Sequence, residues 1–158
     1  MKINKKILIL LVLGCLLLPV LTPGCRQRET TGAAGENPAF QNRMIEADKK
    51  TYLTYLGHSA FLIENNLTLL IDPYHPGLGY GEIEMAADLV IISHEHKDHN
   101  FCPAGSKQIL RGLTSSGEWN HLQWRLNDLH IYTVDSFHDP CSGSRLGKNS
   151  ILILELPP

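Results

Sequence analysis

From Tyr52 onward the apolar residues fall into short runs separated by turn residues, the pattern of β-strands rather than of long amphipathic helices. Tyr52 to Leu56, Ala60 to Glu64 and Leu67 to Ile71 read as three strands. The first two meet at Gly57-His58-Ser59, and the second and third are joined across Asn65-Asn66, a hairpin turn. The domain therefore opens as a β-meander. Asp72-Pro73 stops the third strand, and the glycines and proline of Pro76 to Gly81 make a loop. Residues 83–87 are predicted to be short helical or irregular structure. Leu89 to Ile92 is a continuous apolar run, as a strand buried on both faces shows. Residues 104–112 have weak helical character, Leu122 to Leu126 fits helix or strand, Leu129 to Val134 reads as a strand, and Ser150 to Leu156 reads as a last buried one. Such a final strand has an apolar face and an open edge that no following segment covers.

The N-terminus differs in kind. Lys2, Lys5 and Lys6 precede an apolar run from Ile7 to Leu21, the layout of an export signal. The run is shorter than the roughly 20 apolar residues of a spanning helix. It ends in Thr22-Pro23-Gly24-Cys25, which resembles a bacterial lipoprotein signal with Cys25 as the lipidated first residue. Val12-Leu13-Gly14-Cys15 is a second such site, and an ordinary cleaved signal or an uncleaved anchor are the plainer readings. Residues 1–24 are thus expected to be a signal peptide and residues 25–50, rich in Gly, Glu, Thr and Asn, a flexible tether. Residues 51–158 are the folded domain, in a protein exported to the cell envelope and held at the membrane by lipid or signal anchor.

Composition adds little. The formal charge is −2 over 158 residues, without a basic stripe, so nucleic-acid binding is not expected. Loss of the signal removes three lysines and leaves a mildly acidic chain. Export would place Cys102 and Cys141 in an oxidising compartment, where they could pair or remain buried thiols.

The chemistry concentrates in His94-Glu95-His96-Lys97-Asp98-His99, directly after the buried Leu89 to Ile92 strand. An extended backbone would point His94 and His96 the same way, and a turn after Lys97 would bring Asp98 and His99 to a neighbouring position. Imidazole and carboxylate suit zinc and its neighbours among the divalent metals. Without a cation, burying so many ionisable groups would cost several kcal/mol. The plainer alternative is a solvated polar loop.

His94-x-His96-x-Asp98-His99 resembles the HxHxDH motif of the metallo-β-lactamase superfamily. Thr54 to Phe61, Leu70 to Pro73 and Ala87 to Ser93 look like the subgroup similar to ascorbate 6-phosphate lactonase, over about Tyr52 to Glu155. The implied fold class is α+β, here the N-terminal half of an αβ/βα sandwich and mostly strands. The resemblance implies a first zinc on His94, His96 and His138, and a second metal on Asp98 and His99; manganese or iron could replace zinc. A metal-activated hydroxide would attack an ester, lactone, amide or phosphodiester bond of a small-molecule substrate, with Asp98 orienting it and managing its proton. Asp72 would support the ligand loop or merely form a turn before Pro73, and His58 would line the substrate pocket or be structural. His75, His121 and His130 match no motif and are expected at the surface or in packing.

The family pattern continues beyond a strand like Ile151 to Leu156, to a metal-bridging aspartate and a last histidine. The sequence ends at Pro158 and is expected to be cut short, or completed by a dimer partner or a second chain. The competing expectation is a non-catalytic envelope lipoprotein binding at most one metal. A β-lactamase proper and a nuclease are weaker alternatives.

Overall fold

The computed structural model describes the backbone of residues 6–10 and all of residues 50–156. Cys25, the rest of the expected signal and nearly all of the expected tether lie outside the described residues. Among the described residues all regular structure is β, and no helix is long and apolar enough to cross a membrane. The strands are β1 (Lys6–Leu10), β2 (Tyr52–Gly57), β3 (Ala60–Glu64), β4 (Thr68–Ile71), β5 (Leu89–Ile92), β6 (Gln108–Arg111), β7 (Gln123–Leu126), β8 (Leu129–Phe137) and β9 (Lys148–Leu156).

They form two sheets, a five-stranded one in the order β2-β3-β4-β5-β6 and a four-stranded one in the order β1-β9-β8-β7. The meander is as expected: β2, β3 and β4 are antiparallel in sequence, with a register shift between Tyr55 and Gly57. After β4 the chain crosses over, and β4, β5 and β6 run parallel. This sends the ends of β4, β5 and β6 to one edge of the sheet, where the His94 cluster begins.

Period-two alternation explains the layers. Leu69, Ile71, Leu89 and Ile91 point between the sheets and pack with Ile131, Leu152 and Leu154. Leu70, Val90 and Ile92 point the other way, into a second cluster closed by Tyr74, Ile83 and Ala87 from the long β4–β5 connection. Both faces of β5 are thus covered, and every residue of it is buried.

Two expectations change. Residues 104–112 are not helical: Gln108–Arg111 pair parallel with β5, because Leu110 enters the inter-sheet core while Ile109 packs on the opposite cluster, a two-residue alternation that a helix cannot satisfy. The edge of β9 is not open either. Lys6–Leu10 pair antiparallel with it, from Lys6 opposite Leu156 to Leu10 opposite Leu152. Leu122 to Leu126 resolves as strand β7 over its last four residues, and residues 83–87 are irregular. Cys102 and Cys141 are not joined by a disulfide.

The rims of the two sheets approach closely at Gly112, just after β6. A Cβ there would lie 2.6 Å from the Ser150 Cβ and 2.6 Å from the Ser93 carbonyl oxygen. Its N–H donates to Ile92 (2.7 Å), and its carbonyl accepts the Ser150 hydroxyl (2.7 Å). Hydrogen here is what lets the end of β5 and the start of β9 share one rim. Gly112→Ala is expected to cost about 1–3 kcal/mol in denaturant unfolding. Gly81→Ala, with nothing within 4 Å of an added Cβ, should stay within about 0.5 kcal/mol.

Candidate metal centre

The centre is assembled at the rim where β4, β5 and β8 end. Asp72 follows β4, is fully buried, and takes a left-handed backbone conformation (φ 42°) that Asp tolerates better than most residues. Its N–H donates to the Ile91 carbonyl (2.9 Å), while its side chain accepts the Ser93 N–H (2.6 Å) and the Ser93 hydroxyl (2.7 Å). Asp72 therefore ties the end of β4 to the residue that launches the cluster. The cluster itself is a set of turns: His99 N–H donates to the His96 carbonyl (2.9 Å), and Phe101 N–H to that of Pro73 (2.8 Å). Glu95 turns outward, bridged to Arg111 (2.7 Å) and held by the Asn100 amide. The outward side of the motif is thereby pinned to the end of β6.

His138 arrives from the opposite sheet, just after β8. The loop behind it is organised by Asp139, whose carboxylate accepts the N–H groups of Cys141 (2.7 Å), Gly143 (3.2 Å), Arg145 (3.0 Å) and Leu146 (2.8 Å). These bonds, that to Leu146 foremost, hold the Asp139 carboxyl below the usual carboxylate range. Trp119 clamps the base of the same hairpin by directing its indole N–H at the carbonyls of Ser136 (3.1 Å) and Asn149 (3.0 Å).

Four imidazoles meet. The His138 ring centroid lies 4.6 Å from that of His94 and 4.8 Å from that of His96, and His94 is 4.2 Å from His99. Hydrogen bonding sets which nitrogens face inward. The single Ser93 hydroxyl proton goes to Asp72, so Ser93 Oγ accepts from His94 Nδ1 (2.9 Å), leaving Nε2 of His94 with its lone pair. His99 Nδ1 faces Ser59 Oγ (3.0 Å) and the Asp72 carboxylate (3.4 Å), which likewise leaves Nε2 bare. That buried Nε2, and both ring nitrogens of His138, have no hydrogen-bond partner among the described residues. Buried nitrogens of this kind normally find a partner. A divalent cation would satisfy them, and neutral imidazoles oriented from behind by a carboxylate and hydroxyls are what such an ion requires.

Ligand atoms of His94, His99 and His138 lie within 4.8 Å of one another, as do those of His58, Asp98 and His99. His96 sits beside the first group, its Nδ1 3.1 Å from His94 Nε2. His58, reached from the β2–β3 turn, contacts Asp98 at 3.0 Å. All the residues singled out in the motif are thus together, with Asp72 behind them. His75, His121 and His130 are apart: His75 packs on Phe101, His121 pairs with Asp135, and His130 with Glu155. Sequence reasoning missed Ser59, Ser93 and Asp139. The two serines directly adjoin motif histidines, which was the available signal.

The matched family is the beta-lactamase superfamily domain, over residues 52–157. The chain belongs to this family. The match does not single out the lactonase-like subgroup. The chain is 40% identical over 50 residues to a UPF0173 metal-dependent hydrolase from Archaeoglobus fulgidus, a stretch covering 30% of this chain and 22% of that one. It is 44% identical over 50 residues to a relative of the same description from Pelotomaculum thermopropionicum, with the same coverage. These matched stretches span about a fifth of the relatives' length. A solved structure from Parabacteroides distasonis, described as a metal-dependent hydrolase, aligns at 20% identity over 66% of this chain and 56% of that chain, with a TM-score of 0.47, too loose a likeness to argue from.

Burial, reinforced by His99, His96 and His138, pushes the His94 imidazole down to about 2 against an opposing hydrogen bond with Asn149. Burial also lowers His96. Below about pH 6.5 the unfolded chain takes up protons at these histidines that the folded chain refuses, so the metal-free protein is expected to lose stability as pH falls from 6.5. Urea midpoints measured between pH 5 and 8 check this; a midpoint that rises on acidification would contradict it. Asp72→Ala orphans two buried Ser93 donors and is expected to cost at least about 2 kcal/mol in the same assay.

Proposed function

We propose that this chain is a metal-dependent hydrolase whose centre is built on His94, His96 and His138, with Asp98 and His99 beside them. The observation that carries this reading is the convergence of the His94, His96 and His138 rings, with both buried ring nitrogens of His138 left without a hydrogen-bond partner among the described residues. Family membership and the description of the relatives as metal-dependent hydrolases support it. The donor set, nitrogen-rich with one carboxylate, favours zinc, with manganese or iron as substitutes.

A cation held here supplies Lewis acidity and brings the pKa of water towards about 7. The protein's own residues do the rest. Ser93 and Asp72 hold His94 in the tautomer that presents Nε2, Ser59 and Asp72 do the same for His99, and Asp139 fixes the loop that delivers His138. Asp98, partly exposed and next to His58, is placed to orient an attacking water and take its proton at Oδ2. Half-exposed Tyr80, Leu78 and Phe137 give the surroundings an apolar character suited to a small-molecule substrate carrying an ester, lactone, amide or phosphodiester bond.

In the same proposal residues 1–24 direct export and Cys25 carries a lipid at the cell envelope, and their removal takes β1 from the edge of β9. A second reading, a metal-binding envelope protein without turnover, is separated from the first by one experiment. The purified chain is assayed for metal content and for hydrolysis of a generic phosphodiester and a lactone, beside His138→Ala. Bound zinc and turnover are expected for the natural chain, and affinity reduced at least about 100-fold for the variant. Bound metal without hydrolysis would favour the second reading, and a chain that binds no metal would sink both.

A further inference from the structure

The two sides of β9 are filled differently. On one side it forms a long hairpin with β8, from His130 opposite Glu155 to Phe137 opposite Lys148. On the other it meets only β1, over Lys6–Leu10, and no other strand of the described residues lies along that side. Natural sheets guard an exposed edge with charge, proline or a bulge. Leu152-Ile153-Leu154-Glu155-Leu156 holds a single charge, and that carboxylate faces His130 of the neighbouring strand (3.1 Å). Leu152, Leu154 and Leu156 are buried in the core between the sheets, while Ile153 and Glu155 alternate with them on the outer face and are half-buried. The strand that fills this edge resembles β9 itself. Opposite Leu156 back to Leu152, β1 supplies Lys6, Ile7, Leu8, Ile9 and Leu10 in turn. A second β9 running antiparallel along the same edge, about a two-fold axis at Leu154, would put Leu152, Ile153, Leu154, Glu155 and Leu156 in those places. These match β1 at Ile7, Leu8 and Leu10. The edge is therefore self-complementary, as a two-fold interface has to be.

We propose that this edge of β9 is an interaction surface for a second copy of the chain, and that β1 occupies it until β1 is removed. The timing rests on reading residues 1–24 as an export segment; the pairing rests on β9 alone. Without β1 the outward N–H and C=O groups of Leu152–Leu156 lose their ladder, and a second β9 restores it. In the dimer Leu154 lies opposite the partner's Leu154, Leu152 opposite the partner's Leu156, and Ile153 opposite the partner's Glu155. The leucines of both copies stay on the core side, so the alternation of apolar and outer residues runs unbroken across the axis. Both arrangements use the same backbone groups and exclude each other. The export segment thus keeps the chains apart before processing, and a two-fold pairing closes at two copies rather than growing into a fibre. A contact this short is a small interface, so the dimer is expected to be weak, in the micromolar range.

Sedimentation velocity across the micromolar range compares the full chain, the full chain carrying Leu8→Pro with Ile9→Pro, and the processed chain recovered from cells that export it. Successive N–H groups of a strand point to opposite sides, so one of the two prolines must remove a bond between β1 and β9. The full chain is expected to sediment as a 17.6 kDa monomer, and the proline variant and the processed chain as dimers. Charge reads the register, because Ile153 lies opposite Ile9 in the full chain and opposite the partner's Glu155 in the dimer. Added to the proline variant, Ile153→Glu should weaken the dimer roughly tenfold and Ile153→Lys should leave it intact or tighten it. Circular dichroism checks that both fold, and a damaged strand would weaken association with either charge. A proline variant that stays monomeric or aggregates without limit would overturn the proposal. So would a full chain that dimerises as tightly as the variant, or equal effects of Glu and Lys. Should cells retain residues 1–24, the export reading fails, and the proline variant still decides the pairing.

Discussion

The structure turns on the burial of one carboxylate. Asp72 is removed from water at the end of β4, and such burial is tolerable only when hydrogen bonds replace hydration. Ser93 provides two of them, one from its backbone and one from its hydroxyl. This fixes the exit of β5, and with it the direction in which His94 leaves the sheet. Through Ser93 and His99 the same carboxylate decides which imidazole nitrogens face the centre. A backbone constraint and a chemical one are met by a single group.

The second half of the centre depends on how close the two sheets can come. Gly112 lies where the Ser93 carbonyl and Ser150 approach, and any side chain there would force the rim apart. The β8–β9 hairpin, clamped by Trp119 and closed by Asp139, then carries His138 to within ring contact of His94 and His96. The close-packed core between the sheets makes that approach rigid rather than adjustable. Core packing and site geometry are thus one problem.

Much of this was legible in residue order. The strands of the meander, the buried β5 and the long hairpin follow from runs of apolar residues and turn chemistry, and HxHxDH after a buried strand announces a metal centre. The misread element is β6. In Gln108–Arg111, alternation over four residues is too short to separate from a weak helix, and only pairing with β5 decides it. The pairing of Lys6–Leu10 with β9 was also out of reach, since a register between residues 142 to 150 positions apart leaves no local signal.

What the sequence by itself determined is local: the strand periods, the turn at Gly57-His58, and the spacing that gathers His94, His96, Asp98 and His99. Tertiary structure alone decided the rest. It brought His138 from the other sheet to His94, set Ser59 behind His99, and put His58 against Asp98. Those contacts join residues 40 or more positions apart, and hydrophobic periodicity records which face of a strand is buried, not which strand it is buried against.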